Sequence, residues 1–141
     1  MRGGTFLVVR RIRIALDAWR ALSVGEQERV IGRRRDSGAP IGARNEFDPL
    51  PLAELAPDSH VRLAARESNA GVTMLRRSYS YEDGLLFLAY QRDPRRQFVA
   101  LQRRLAERDA LSAYATHVGS AVFALPPGAR PGGFVGDPLC G

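Results

Sequence analysis

From Thr5 to Ile14 the chain reads TFLVVRRIRI, and its side chains sort by twos: Phe6, Val8, Ile12 and Ile14 on one face, Leu7, Val9, Arg11 and Arg13 on the other. A period of two with several β-branched residues predicts a strand, because successive side chains of an extended chain point to opposite sides. The spacing then lengthens. ALDAWRAL repeats at helical intervals, and SVGEQERVIG follows with Ser23 and Glu26 placed as a capping box, so a second helical segment is expected to run to Ile31. From Gly32 the chain becomes polar and rich in Gly and Pro through RRRDSGAPIGARNEFDPLPLAELAPD, which predicts a long loop of the kind that tends to carry function.

The second half has its own pattern. Asp58 or Ser59 is expected to cap a short helix beginning near His60, its side-chain oxygen accepting from the free amides of the first turn. Thr73 to Tyr81 alternates, with Arg76, Ser78 and Ser80 on one face and Leu75, Arg77, Tyr79 and Tyr81 on the other. The Asp-Gly of SYEDG predicts a tight hairpin turn. The nearly continuous apolar run LLFLAYQ predicts a strand covered on both faces. Beyond Pro94, Phe98, Leu101, Leu105, Leu111 and Tyr114 recur near helical spacing, and SAVFALP predicts a last strand ending at Pro126. Strand, helix, loop, strand, strand, helix, strand is the order of the split βαβ motif. The expected fold class is therefore α+β: a ferredoxin-like domain with an antiparallel sheet. That order names no function, since the fold carries many.

Composition narrows the picture. The 141 residues suit one domain with a single core. Every apolar run is shorter than the roughly 20 residues that cross a bilayer. The start MRGGTFLVVRRIRI lacks a small-residue cleavage site, so a cytoplasmic location is expected for the chain as given. Cys140 is the single cysteine, which excludes an internal disulfide and a cysteine-cluster zinc site. The net charge of +6 comes from 21 arginines without a lysine, scattered in pairs such as Arg10-Arg11, Arg76-Arg77, Arg95-Arg96 and Arg103-Arg104. Such a charge fits either a codon bias or a surface for polyanions. Two functions follow from the bare domain: a basic ferredoxin-like nucleic-acid-binding module, whose affinity would fall steeply with salt, and a non-catalytic oligomerising domain.

A few residues are candidates for chemistry. His60, at the head of a predicted helix, is placed either to ligate a metal from a pocket wall or to serve as an ordinary hydrogen-bonded histidine. Arg76 shares its strand with apolar neighbours; a partly buried guanidinium needs an anion, whether a ligand oxygen or a protein carboxylate. Asp109 reads as a helix cap, or as an acid accepting from the ring N–H of a ligating histidine. His117 reads as a structural residue at a helix end, where its cationic form would favour the negative dipole terminus. No Walker loop, dinucleotide fingerprint, nucleophile elbow or paired-histidine motif is present, and GLLFLAYQ does not match the aromatic signature of RNA-binding sheets.

One resemblance is specific. The blocks GGTFLVVRRIRI, EQERVIGRRRDSGAPIG, SHVRLAA, MLRRSYSY, GLLFLAYQRDPRRQFVALQRRLAERDALSAYATHVGSAVFALPPG and GGFVGDPL resemble, in this order, the C-terminal half of the dye-decolorizing (DyP-type) haem peroxidases, in the bacterial branch that includes the deferrochelatase/peroxidase proteins. The resemblance implies two ferredoxin-like domains with haem b between them. Residues 1–141 would be the C-terminal haem-binding one, without the N-terminal domain that carries a distal Asp in a Gly-x-x-Asp-Gly motif. By position, His60 resembles the proximal iron ligand, Arg76 the distal arginine, Asp109 the acid that orients the histidine, and Ser78 a distal-pocket neighbour. The implied reaction uses hydrogen peroxide to oxidise dyes and small phenolic electron donors, with Arg76 stabilising charge on the departing oxygen. The implied partners are hydrogen peroxide and such aromatic donors, with no nucleic acid and no membrane, and a homo-oligomer in the full-length form. Full-length relatives are often exported.

Without the distal Asp and half of the haem envelope, the resemblance implies impaired activity, and there are local departures as well. Met1 resembles an internal methionine, the hairpin SYEDGLLF is shorter, Arg66 stands where a proline is usual, and the tail ends Leu139-Cys140-Gly141 where an aromatic is more common.

Overall fold

The computed structural model of the protein describes residues 3–137, so Met1 and the tail with Cys140 lie outside the described residues. Strand β1, Thr5–Ile14, runs over the predicted stretch. It pairs antiparallel with β3, Gly84–Gln91, on one side and with β4, Ala115–Leu125, on the other. Strand β2, Leu75–Tyr81, pairs with β3 and completes a sheet of order β2-β3-β1-β4. This is the expected ferredoxin-like α+β architecture, with β1 and β3 central and the hairpin strand β2 at one edge.

Register decides which side chains share a face. Arg76, Ala89, Val8 and Val122 form one row across the sheet, and Ser78, Phe87, Arg10 and Ser120 the next. Ser80, Leu85, Ile12 and His117 form a third. The last row exists because the β1–β4 ladder shifts between Arg11 and Ile12, pairing Arg11 with Gly119 but Ile12 with His117. A bulge of this kind re-aims one side chain. Here it brings His117 to the face of Arg10 and Ile12, which regular pairing would have given to Val118.

The helices gather over that face. Helix α1, Leu16–Arg20, leads into α2, Val24–Ile31, and the Ser23 hydroxyl accepts from the Glu26 amide at 3.2 Å. The Glu26 carboxylate turns to Arg29 instead of closing the capping box. Gly32 ends α2 in the left-handed region at φ 92°, a conformation that costs glycine nothing. The long loop after it is held by Arg33, whose Nη1 donates to the carbonyls of Gly38 and Glu46 at 2.6 and 2.9 Å. It buries Ala39 and Leu55 near α2 and contributes no wall to the cavity described below.

Four expectations need correction. Helix α3, His60–Ala64, begins after Ser59, but neither predicted side chain caps it: the Ser59 hydroxyl donates back to the Ala56 carbonyl at 2.8 Å and Asp58 pairs with Arg29. The late helix does not continue to Tyr114. A π turn, Arg95–Val99, opens into α4, Ala100–Arg108, and Asp109 breaks it in extended conformation before a short 3-10 turn, Ala110–Ala113. Strand β4 starts at Ala115, ahead of the predicted SAVFALP, because Ile14 and Arg13 continue the ladder onto Ala115 and Thr116. Finally, β3 is not covered on both faces: Leu86 is exposed, as are its far-face neighbours Leu75 and Tyr79, at 64% and 58%.

The hairpin turn is centred on Glu82 and Asp83, with Tyr81 opposite Gly84. Gly84 is buried, and a Cβ there would overlap the Ile12 carbonyl oxygen and crowd the Tyr81 ring. Backbone cannot move aside as a flexible side chain does. Gly84→Ala is expected to cost about 1–3 kcal/mol, seen as a lower urea midpoint with an unchanged slope.

Candidate active site

Between the sheet and the α3–α4 layer lies a cavity of about 290 Å³, lined on the sheet side by residues of all four strands. That is just below the range for ligand and cofactor pockets, roughly 300–1,000 Å³. His60, Leu101, Leu105 and Asp109 form the helix wall; Arg10, Ile12, Arg76, Ser78 and His117 are among those on the sheet wall.

His60 is the first residue of α3, and its Nδ1 lies 2.6 Å from Asp109 Oδ2, across 49 positions of sequence. The two side chains differ in exposure, 34% for His60 and 4% for Asp109. Asp109 is fixed from two sides. Its Oδ1 accepts from the Leu111 amide at 2.9 Å, capping the 3-10 turn, while the Ala110 amide donates to the Asp58 carbonyl just ahead of α3. The break in the late helix is therefore what aims the carboxylate at His60. A carboxylate can only accept, so in the neutral ring the short contact puts the proton on Nδ1 and the lone pair on Nε2. The cap and the acid that orients a histidine, alternatives in the sequence, are one residue using two oxygens.

Arg76 and Ser78 face this imidazole from β2 on the sheet wall. Arg76 is exposed, contrary to the partial burial expected, because β2 is an edge strand and its outer side is uncovered. No carboxylate among the described residues forms an ion pair with it.

Two residues take roles that the sequence reading did not give them. His117 stands on β4, not at a helix end; burial and then the charge of Arg10 push its pKa down, so the neutral imidazole is favoured and no helix dipole is involved. Arg10 was not singled out. Its Nε and Nη1 are buried without a hydrogen-bond partner, and its guanidinium sits 4.8 Å over the Phe98 ring. Burial lowers its pKa from the ordinary arginine value. The signal was present in the alternation: Arg10 is the one charged position on the face of Phe6, Val8, Ile12 and Ile14.

The geometry is a ferredoxin-like sheet facing a histidine braced by a buried acid, and comparison with known proteins gives the class. The sequence profile described as "Dyp-type peroxidase, C-terminal" matches residues 1–130, and the chain belongs to that family. The dye-decolorizing peroxidase of Thermobifida fusca (strain YX) is 49% identical over 158 residues, covering 99% of this chain and 36% of that protein. The chain thus spans little more than a third of that relative's length. Ferric DtpA from Streptomyces lividans superimposes with a TM-score of 0.91 at 39% identity, over 96% of this chain and 42% of that one. A DypB variant from Rhodococcus jostii RHA1, solved in complex with heme, gives 0.65 at 25% identity, over 88% of this chain and 41% of that one.

Proposed function

We propose that residues 1–141 are the C-terminal haem-binding domain of a DyP-type peroxidase that uses hydrogen peroxide to oxidise dyes and phenolic donors. The observation that carries this reading is the 2.6 Å contact between His60 Nδ1 and Asp109, with Nε2 left to a cavity whose opposite wall holds Arg76. The donor set favours a porphyrin over a bare ion. Among the described residues no group of three or more His, Cys, Asp or Glu is placed to hold a metal, so a metal at His60 must bring most of its own ligands. The largely apolar slot and the orphaned nitrogens of Arg10 fit a flat, apolar molecule with acidic side arms. The heme complex of the DypB relative supports the same choice.

Bound there, haem b would supply a redox-active iron with an open coordination position. The residues of this chain do the rest. His60 would hold the iron through Nε2, and Asp109, by accepting from Nδ1, fixes the ring and makes Nε2 a stronger donor. Arg76, on the sheet wall of the cavity, would offer a fixed positive charge to the oxygens of peroxide bound there. Ser78 adds a hydroxyl two residues along the same face. No carboxylate stands on this wall, where Arg10, Arg76, Ser78 and His117 are the polar side chains, and of these the imidazole of His117 is the group able to accept a proton. Without a carboxylate there, the reading expects slow peroxide turnover by residues 1–141 alone.

The test is reconstitution with hemin followed by mixing with hydrogen peroxide. In Arg76→Leu, hemin affinity should stay within about threefold while the residual rate of peroxide consumption falls on the order of 100-fold. Equal rates in the two proteins would remove Arg76 from the mechanism.

A further inference from the structure

We propose that Arg10 is the carboxylate anchor of this slot: its guanidinium grips an acidic side arm of the macrocycle whose iron His60 ligates. The inference rests on the haem reading and deepens it. A guanidinium keeps its charge under all ordinary conditions, and leaving its N–H groups covered but unpaired is costly. Arg10 is in that state: Nε and Nη1 are shielded from solvent, without an acceptor, on the wall of a cavity. No ion pair among the described residues involves it. The nearest acid on the slot, Asp109, spends its oxygens on His60 and Leu111.

The surroundings are arranged to keep the charge and fix its direction. Phe98 lies under the guanidinium at 4.8 Å, which holds the plane without satisfying its N–H groups. Arg10's ladder partners are Phe87 and Ser120, neither an anion. His117, carried to this face by the bulge, is pushed toward its neutral form by burial and by Arg10 itself, so it does not add a second positive charge.

Register also separates Arg10 from Arg76. The two lie two strands apart and one same-face step along, which places their Cα atoms about 12 Å from each other. Two isolated cations at that spacing on one wall suit different parts of a single flat ligand.

The experiment titrates the chain and Arg10→Met with ferric protoporphyrin IX and with its dimethyl ester, following the Soret band. The chain should prefer the free acid on the order of 10- to 100-fold, and Arg10→Met should bind both porphyrins alike at the ester's level with the band position unchanged. A second readout needs no ligand: removing an unsatisfied buried charge should raise the melting temperature of apo Arg10→Met by about 3 °C. A purely structural arginine would lower it. Retained preference for the free acid in Arg10→Met, or a fall in its apo melting temperature, overturns the anchor while leaving His60 ligation standing. Absence of a Soret shift with either porphyrin in the unaltered chain overturns the haem reading and the anchor with it.

Discussion

Hemin added to His60→Ala should give a spectrum close to that of the free porphyrin, with affinity reduced on the order of 100-fold relative to the unaltered chain. The expected loss is large because nothing near the position can replace the imidazole. The chain has two histidines, and the other, His117, stands on β4 within the sheet wall. No carboxylate or thiolate cluster among the described residues offers a second route to a metal. Imidazole supplied in solution should restore much of the ligated spectrum in His60→Ala, since the deletion leaves room beside Asp109 for the free ring and its N–H. His117→Ala is the matched control and should keep the unaltered band. A ligated Soret band that survives in His60→Ala and disappears in His117→Ala would reverse the two walls of the slot.

The sheet was legible in the sequence because half-buried strands write their faces in a period of two. TFLVVRRIRI and MLRRSYSY both declared which residues point together, and those assignments hold in the register. The same rule carried the information that was overlooked. Arg10 falls on the apolar face of β1, and a charge there is an anomaly that periodicity exposes without homologues. What periodicity could not show were the interruptions. The bulge at Arg11/Ile12 changes the parity of β4, so His117 acquires a face that no count along the chain predicts. The break hid behind the recurrence of apolar residues from Phe98 to Tyr114, because a single extended residue, Asp109, interrupts an otherwise helical stretch.

The long loop was legible only in part. Its Gly and Pro content correctly excluded regular structure, but composition could not show how the loop is held, which is by carbonyl bonds to Arg33 and the burial of Ala39 and Leu55. Coverage of β3 failed for a related reason. Leu86, Leu75 and Tyr79 stand on the far side of the sheet beside Arg11 and Arg77, and no sequence pattern within β3 states whether that side is covered. The His60–Asp109 contact was the least accessible to periodicity, since it joins positions 49 apart through two short-range devices, a helix start and a helix break. The resemblance to a family supplied that pairing, and the geometry now gives it a physical cause.

Asp109 is where fold and chemistry meet, and an amide there should reveal both. The carboxylate accepts from two donors, His60 Nδ1 through Oδ2 and the Leu111 amide through Oδ1. Asparagine has one acceptor oxygen and, in place of the other, an N–H₂ that only donates. If the amide oxygen keeps the cap, its N–H₂ faces His60 and drives the ring to the tautomer with its proton on Nε2, the atom needed for the iron. If the oxygen turns to His60 instead, the 3-10 turn loses its cap, and the segment that leads into β4 is left with an unpaired amide. Asp109→Asn is therefore expected to weaken hemin binding on the order of 10- to 100-fold and to destabilise the apo-chain by about 1–2 kcal/mol at most, divided according to which bond survives. Asp109→Ala removes both acceptors and should show the full loss in each assay at once. The separation matters because a merely structural Asp109 would move the urea midpoint and leave the hemin affinity of the folded fraction unchanged. A merely electronic one would do the reverse. Since one side chain holds the turn and the ring together, the two effects should trade against each other in Asp109→Asn and appear together in Asp109→Ala.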